Sequence, residues 1–347
     1  MWIRHAIVAV ALVGFVGNAC AQDFRIEDVK SARNVSVQQL KPQTVAFSDG
    51  LAASGGPGGT DLISFSDWAQ QRPVEKKFLA LFPSYTEPTV SKADPTGPKQ
   101  VLDKLYMYVA QARFVLDQPP GAIDLSRYVT IGFLDRIDPA IKHKLITAAD
   151  VVPFTDEAGT GNANPDRKWC TGRQTSICIQ STYKLEGKIP LGILLVNKLR
   201  DTVKKISDHI DFQSEFSALA PADLDQAGLQ ELTKLNTPVT GVLEQSIFYV
   251  NQIMKFGKFY AVFQNHPTDP GKTIVTAFMA LAIDASVLDK KKEYEKMPVL
   301  RNLVPAEVLM GRSSFNSGHS ISAGLPQYAR NEIKTVAGIL EKNVAVK

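Results

Sequence analysis

Residues 169–190 read WCTGRQTSICIQSTYKLEGKIP, and the fold turns on how this stretch is understood. Cys170 and Cys178 stand eight positions apart, close enough to pair in an oxidising compartment. If they face each other across a hairpin centred on Gln174, strand alternation puts Lys168 and Gln180 on the disulfide face. Trp169, Thr171, Ile177 and Ile179, followed by Ser181, Tyr183 and Leu185, then fall on the opposite face. The expectation is a β-hairpin with a mostly apolar inner side and a polar outer side that carries the disulfide. Gly187 ends the strand and Pro190 opens a helix. Beyond it Ile193, Val196, Leu199, Val203, Ile206 and Ile210 recur at spacings of three and four, with Lys198, Arg200, Lys204 and Lys205 on the wet side. Two thiolates with no neighbouring histidine make half a zinc site, and seven intervening residues are too many for a redox pair, so the cysteines are read as structural.

The oxidising compartment has its own signal. Arg4 and His5 precede an uncharged apolar run over residues 6–17, and Ala19 and Ala21 place small side chains where a signal peptidase cuts. The run is shorter than the roughly 20 residues a spanning helix needs. A signal peptide over 1–21, cleaved after Ala21, is expected, with a periplasmic, soluble mature chain. Lipid attachment at Cys20 is the weaker alternative, because Gly17 stands where a lipobox calls for a Leu-like residue. Removing residues 1–21 takes away one basic residue and leaves 326 residues with a formal charge of +3, too balanced to point to nucleic acid or to an acidic surface. The triplet Lys290–Lys292 is followed at once by Glu293 and Glu295 and reads as a solvated face.

Away from the cysteines, residues 22–60 read as a flexible lead-in that ends in a Gly-rich linker over 53–60. Pro98 opens a predicted helix with Val101, Leu102, Leu105, Val109, Ala112 and Leu116 on one face, ended by Pro119 and Pro120. Residues 128–133 read as a short strand, and 141–152 fit either strand or helix. Further along, 224–235 read as a helix, and 242–253, 258–264 and 273–284 as three antiparallel strands, with turn chemistry at Asp269-Pro270-Gly271. A polar loop over 311–323 precedes a last helix over 326–342. The expected fold is α+β, antiparallel sheet packed by long amphipathic helices, arranged as an α+β unit over 61–212 and a second over 213–347.

Motifs that would name a chemistry fail on inspection. Gly271-Lys272-Thr273 ends like a phosphate loop, but His266 stands where the first glycine belongs and the segment joins two strands. Asn162, Asn164 and Asp166 are spaced like calcium ligands, yet Arg167 and Arg173 hold the glycine and glutamate positions. His143, His209, His266 and His319 show no metal-ligand spacing, so neither a metal nor a cofactor is expected. The loop 313–320 could host a serine hydrolase, with Ser313 or Ser314 as nucleophile and His319 as base, although no Gly-x-Ser-x-Gly elbow exists.

The run from Ser181 to Pro190, followed by Val196 and Asn197 within an amphipathic helix, resembles the end of START-type helix-grip domains. Gly324-Leu325-Pro326 with Asn331 is a fainter echo ahead of the last helix. The resemblance implies a lipid-like ligand held between sheet and helix. Trp169, Ile179, Tyr183, Phe259 and Phe263 are the candidate ligand contacts. The functional expectation is a non-enzymatic binder or carrier of an apolar ligand. A hydrolase and an envelope scaffold or assembly protein are the alternatives.

Overall fold

The computed structural model of the chain describes residues 24–56, 59–63, 105–152, 168–172, 175–184, 209–250, 254–284 and 325–342. The described strands are β1 (Arg25–Asp28), β2 (Thr44–Gly56), β3 (Gly59–Ile63), β4 (Leu105–Leu116), β5 (Ile141–Leu145), β6 (Ser176–Lys184), β7 (His209–Leu219), β8 (Val239–Val250), β9 (Met254–Asn265) and β10 (Thr273–Asp284). They form one 10-stranded sheet in the order β1-β2-β4-β10-β9-β8-β7-β6-β5, with β3 paired to β2. Every pairing is antiparallel except the parallel β1–β2 pair. Among the described residues three α-helices accompany the sheet: α1 (Ile131–Ile137), α2 (Gln226–Thr233) and α3 (Leu325–Glu341). The fold is α+β, and none of the described helices is long and apolar enough to cross a membrane.

The meander β8–β9–β10 forms where alternation and turn chemistry agree. At its second turn the Asp269 carboxylate accepts from the Gly271 N–H at 3.0 Å, which fixes the chain reversal. Helix α2 also forms where expected, capped by Asp225, whose side chain accepts from the Gly228 N–H.

Of the helix expected from Pro98 to Leu116, residues 98–104 lie outside the described residues and the rest is strand β4. Ala110, Ala112, Phe114 and Leu116 face one way, Val109, Gln111 and Arg113 the other, and all of them are buried. A strand covered on both faces carries buried side chains at every spacing, including three and four, so it imitates a helical stripe. Its ladders to β10 and β2 settle the matter, since both edges of the backbone are paired. The short strand expected over 128–133 is instead a 3-10 turn, Leu125–Tyr128, followed by α1. Thr130 caps α1 by accepting from the Phe133 N–H at 3.1 Å. Residues read as lead-in supply β1 and β2, and β7 runs without a break across position 212, so one sheet draws on all three expected segments.

The cysteine hairpin is corrected as well. Cys170 and Cys178 are disulfide-bonded with Cα atoms 5.5 Å apart. Residues 168–172 are not a strand, because Cys170 and Gly172 hold positive φ (61° and 74°), which breaks an extended ladder. The partners of β6 are β5 and β7, and the Cys178 carbonyl accepts from the Ile146 N–H at 2.9 Å. The long helix expected after Pro190 lies outside the described residues up to 208; its last two positions, His209 and Ile210, open β7.

The main core fills the space between one face of the sheet, α1 and α3. Phe133 of α1 stacks on Phe216 of β7 at 6.0 Å and meets Tyr128 edge-on. Helix α3 packs on β4, β2, β1 and α1. Near its start Arg330 pairs with Asp28 at 2.7 Å and lies 4.7 Å over the Phe47 ring. At its end the Gln118 amide donates to the Leu340 carbonyl. The other face of the sheet is buried too. There Arg113, 2% exposed, donates to Thr276 Oγ1, to the Val35 carbonyl and to the Thr233 carbonyl at the end of α2. Burial and the neighbouring Arg33 lower its pKa to about 10, so it stays charged at neutral pH.

Candidate functional site

A cavity of about 170 Å3 lies between the inner sheet face and helices α1 and α3. Register explains its floor. Ala277 of β10 pairs with Ala112 of β4 on one side and Ala261 of β9 on the other, so three alanines form a row across adjacent strands. All three line the cavity, and a row of methyl groups leaves unfilled space beneath a helix that bulkier residues would occupy. Phe47, Phe133, Phe212, Phe216 and Phe259 supply much of the wall. An apolar cavity of about 150 Å3 in another protein stays dry and takes up benzene, which sets the scale of ligand that fits here.

Polar groups enter the lining too, Gln111 and Gln245 from the sheet and a titratable set that involves α3. Tyr328 and Glu332 lie four residues apart on α3 and so share its inner side. Asp138, the C-cap of α1, and His143 of β5 join them in the lining. Burial, reinforced by the Asp138 charge, pushes the Glu332 carboxyl well above the usual range. Burial also raises the Tyr328 phenol, with Glu332, Asp138 and Tyr183 adding to the effect. His143, whose Nδ1 is 2.8 Å from Ser181 Oγ, is pushed down by burial against the opposing pull of Asp135 and Asp138, which leaves it neutral near pH 7.

The residues singled out in the sequence divide between three places. Phe259 lines the cavity. Ile179, Tyr183 and Phe263 are buried in the same core beside it. Trp169 lies on the opposite face of the sheet, stacked on Phe248 at 4.6 Å beside Cys178 and partly buried Cys170. That placement corrects one expectation: Trp169 shares the disulfide's side, where the bond also has polar neighbours, with Gln180 on the same face of β6 as Cys178 and Glu215 Oε2 accepting from the Cys170 N–H at 3.3 Å. The cause is the loop conformation at Cys170, which breaks the alternation on which the expected facing rested. Ser313, Ser314 and His319 lie outside the described residues. Glu332, Tyr328, Asp138 and the alanine row went unnoticed in the sequence. Their one local signal is a glutamate four positions after a tyrosine on the apolar side of the last helix.

No protein-family model matches the chain, and no curated protein matches it. Solved structures do. An aromatase/cyclase from Streptomyces sp. R1128 aligns at 9% identity over 68% of this chain and 93% of its own, with a TM-score of 0.32. Norcoclaurine synthase from Thalictrum flavum, in complex with dopamine and hydroxybenzaldehyde, aligns at 10% identity over 66% and 86%, TM-score 0.26. Human STARD10 aligns at 8% identity over 66% and 77%, TM-score 0.25. Scores this low carry no weight on activity or ligand. The helix-grip-like character of the fold rests on the chain's own topology, a mostly antiparallel sheet with a long C-terminal helix laid against it. Leu325 and Pro326 of the fainter echo open that closing helix and Asn331 lies within it, whereas the stretch from 185 to 208 lies outside the described residues.

Proposed function

We propose that the chain binds and carries a small apolar ligand in the cavity between the sheet and α3. The observation that carries this reading is the alanine row beneath the helix, which keeps space open where a core would otherwise close. A void of 170 Å3 left empty costs about 4 kcal/mol at roughly 24 cal/mol per Å3, an expense that an occupant offsets. The size favours a ligand of about one ring over a sterol or a phospholipid, which would need the cavity to widen. Carriage takes place after export into an oxidising compartment, a reading supported by the signal-like residues 1–21 and by the disulfide.

Calorimetric or NMR titration with toluene tests the site: saturable uptake supports it, and no uptake, with no small molecule co-purifying by mass spectrometry, refutes it. Fractionation of expressing cells, with sequencing of the mature N-terminus, tests export; a cytoplasmic chain that keeps residues 1–21 would refute that part.

A further inference from the structure

The cavity's charges are one-sided. Among its described lining residues Asp138 and Glu332 are acids, His143 is the one basic side chain, and there is no lysine or arginine. Burial keeps His143 neutral near pH 7, so it does not act as a cation. Resting on the cavity reading above, we propose that the Glu332–Asp138 end takes the protonated amine of a compact apolar amine, and that the site discriminates against carboxylates of the same size.

The physical case follows from what each head group meets. A carboxylate entering this end would lie beside two acids, with no lysine or arginine among the described lining residues, a desolvated like-charge contact. A neutral alcohol could bond to the protonated Glu332 carboxyl and gains one ordinary hydrogen bond. A protonated amine displaces the Glu332 proton and forms a charge-assisted bond to the carboxylate, with Phe133 and Tyr328 in the same wall. The balance is simple: one ammonium enters, one proton leaves the Glu332 carboxyl for solvent, and the cavity's net charge does not change.

Described titratable groups near Glu332 come from four elements. Tyr328 shares its helix face, Asp138 comes from α1, His143 from β5 and Tyr183 from β6. Ala110, Ala112, Phe114 and Leu116 of β4 belong to the same core and do not titrate. Arg330, also on α3, pairs with Asp28 of β1 and lies 3.9 Å from Asp49 of β2. Arg136 and Lys334 line a separate surface groove.

The test is titration of the full chain with four matched probes: toluene, benzyl alcohol, benzylamine and benzoate. At pH 7 benzylamine should bind at least tenfold more tightly than benzyl alcohol, and benzoate should show no saturable binding. Benzylamine affinity should rise between pH 5 and 8 because the carboxyl must give up its proton, while toluene affinity should not change. Glu332→Gln should collapse the amine-to-alcohol ratio to about one, and Asp138→Asn, a second variant should the first misfold, should lower it. Benzoate binding as tightly as benzylamine, or an amine preference that survives both substitutions, overturns the proposal. If toluene and benzyl alcohol bind but benzylamine has no advantage, the amine inference alone falls; if none of the four binds, the cavity reading falls with it.

Discussion

Ala277→Leu puts three further carbon atoms into the centre of the alanine row. If the space above Ala277 is empty, the added side chain buries about 2 kcal/mol of apolar surface, at roughly 0.8 kcal/mol per methylene. That recovers about half of the standing cost of the void. If the space were instead filled by well-packed neighbours, the same substitution would overpack the core and cost about 1–3 kcal/mol. The two cases differ in sign, which makes the experiment decisive. Urea unfolding should show an unchanged m-value and a midpoint shifted upward or held, and toluene titration should show uptake weakened at least tenfold. A midpoint shifted downward by more than about 1 kcal/mol, with toluene uptake intact, would refute the reasoning about the cavity's floor.

Three further outcomes follow from other parts of the molecule. Cys170→Ala with Cys178→Ala should destabilise the fold by about 2–3 kcal/mol in urea, as expected for a short closed loop, and leave toluene binding unchanged, because the bond lies on the opposite face. Arg113→Lys keeps the charge but cannot reach Thr276, Val35 and Thr233 together, so it should cost at least about 2 kcal/mol in the same assay. The folded chain holds the Glu332 proton to higher pH than the unfolded chain does, so this group's contribution is full below its ordinary pKa and is lost as pH rises through the raised value. Glu332→Gln should therefore gain on wild type in urea midpoints as pH goes from 5 to 8; a difference that does not vary with pH would show that the carboxyl is not held protonated.

How far the sequence reached depended on whether the deciding contacts were local. The meander, α2 and α3 were legible because alternation, caps and turn residues lie within each segment. Strand β4 was not, since its apolar spacing fits a helix equally well and only its partners, β2 and β10, decide. The facing of Trp169 depended on a positive φ at Cys170, which a cysteine does not advertise. The cavity was hidden for a related reason. Ala112, Ala261 and Ala277 are unremarkable along the chain and become a row only when three strands are set in register.

The Arg330–Asp28 pair joins positions 302 residues apart, and α3 follows every described strand in the chain. A ribosome delivers the sheet before it delivers the helix that covers it. Until α3 docks, the inner face presents Phe212, Phe216, Phe259 and Phe263 to whatever is nearby, and contacts of such long range form slowly. The nascent protein is thus at its most adhesive just before α3 emerges, and a chain cut short ahead of Leu325 would leave that face open to chaperones.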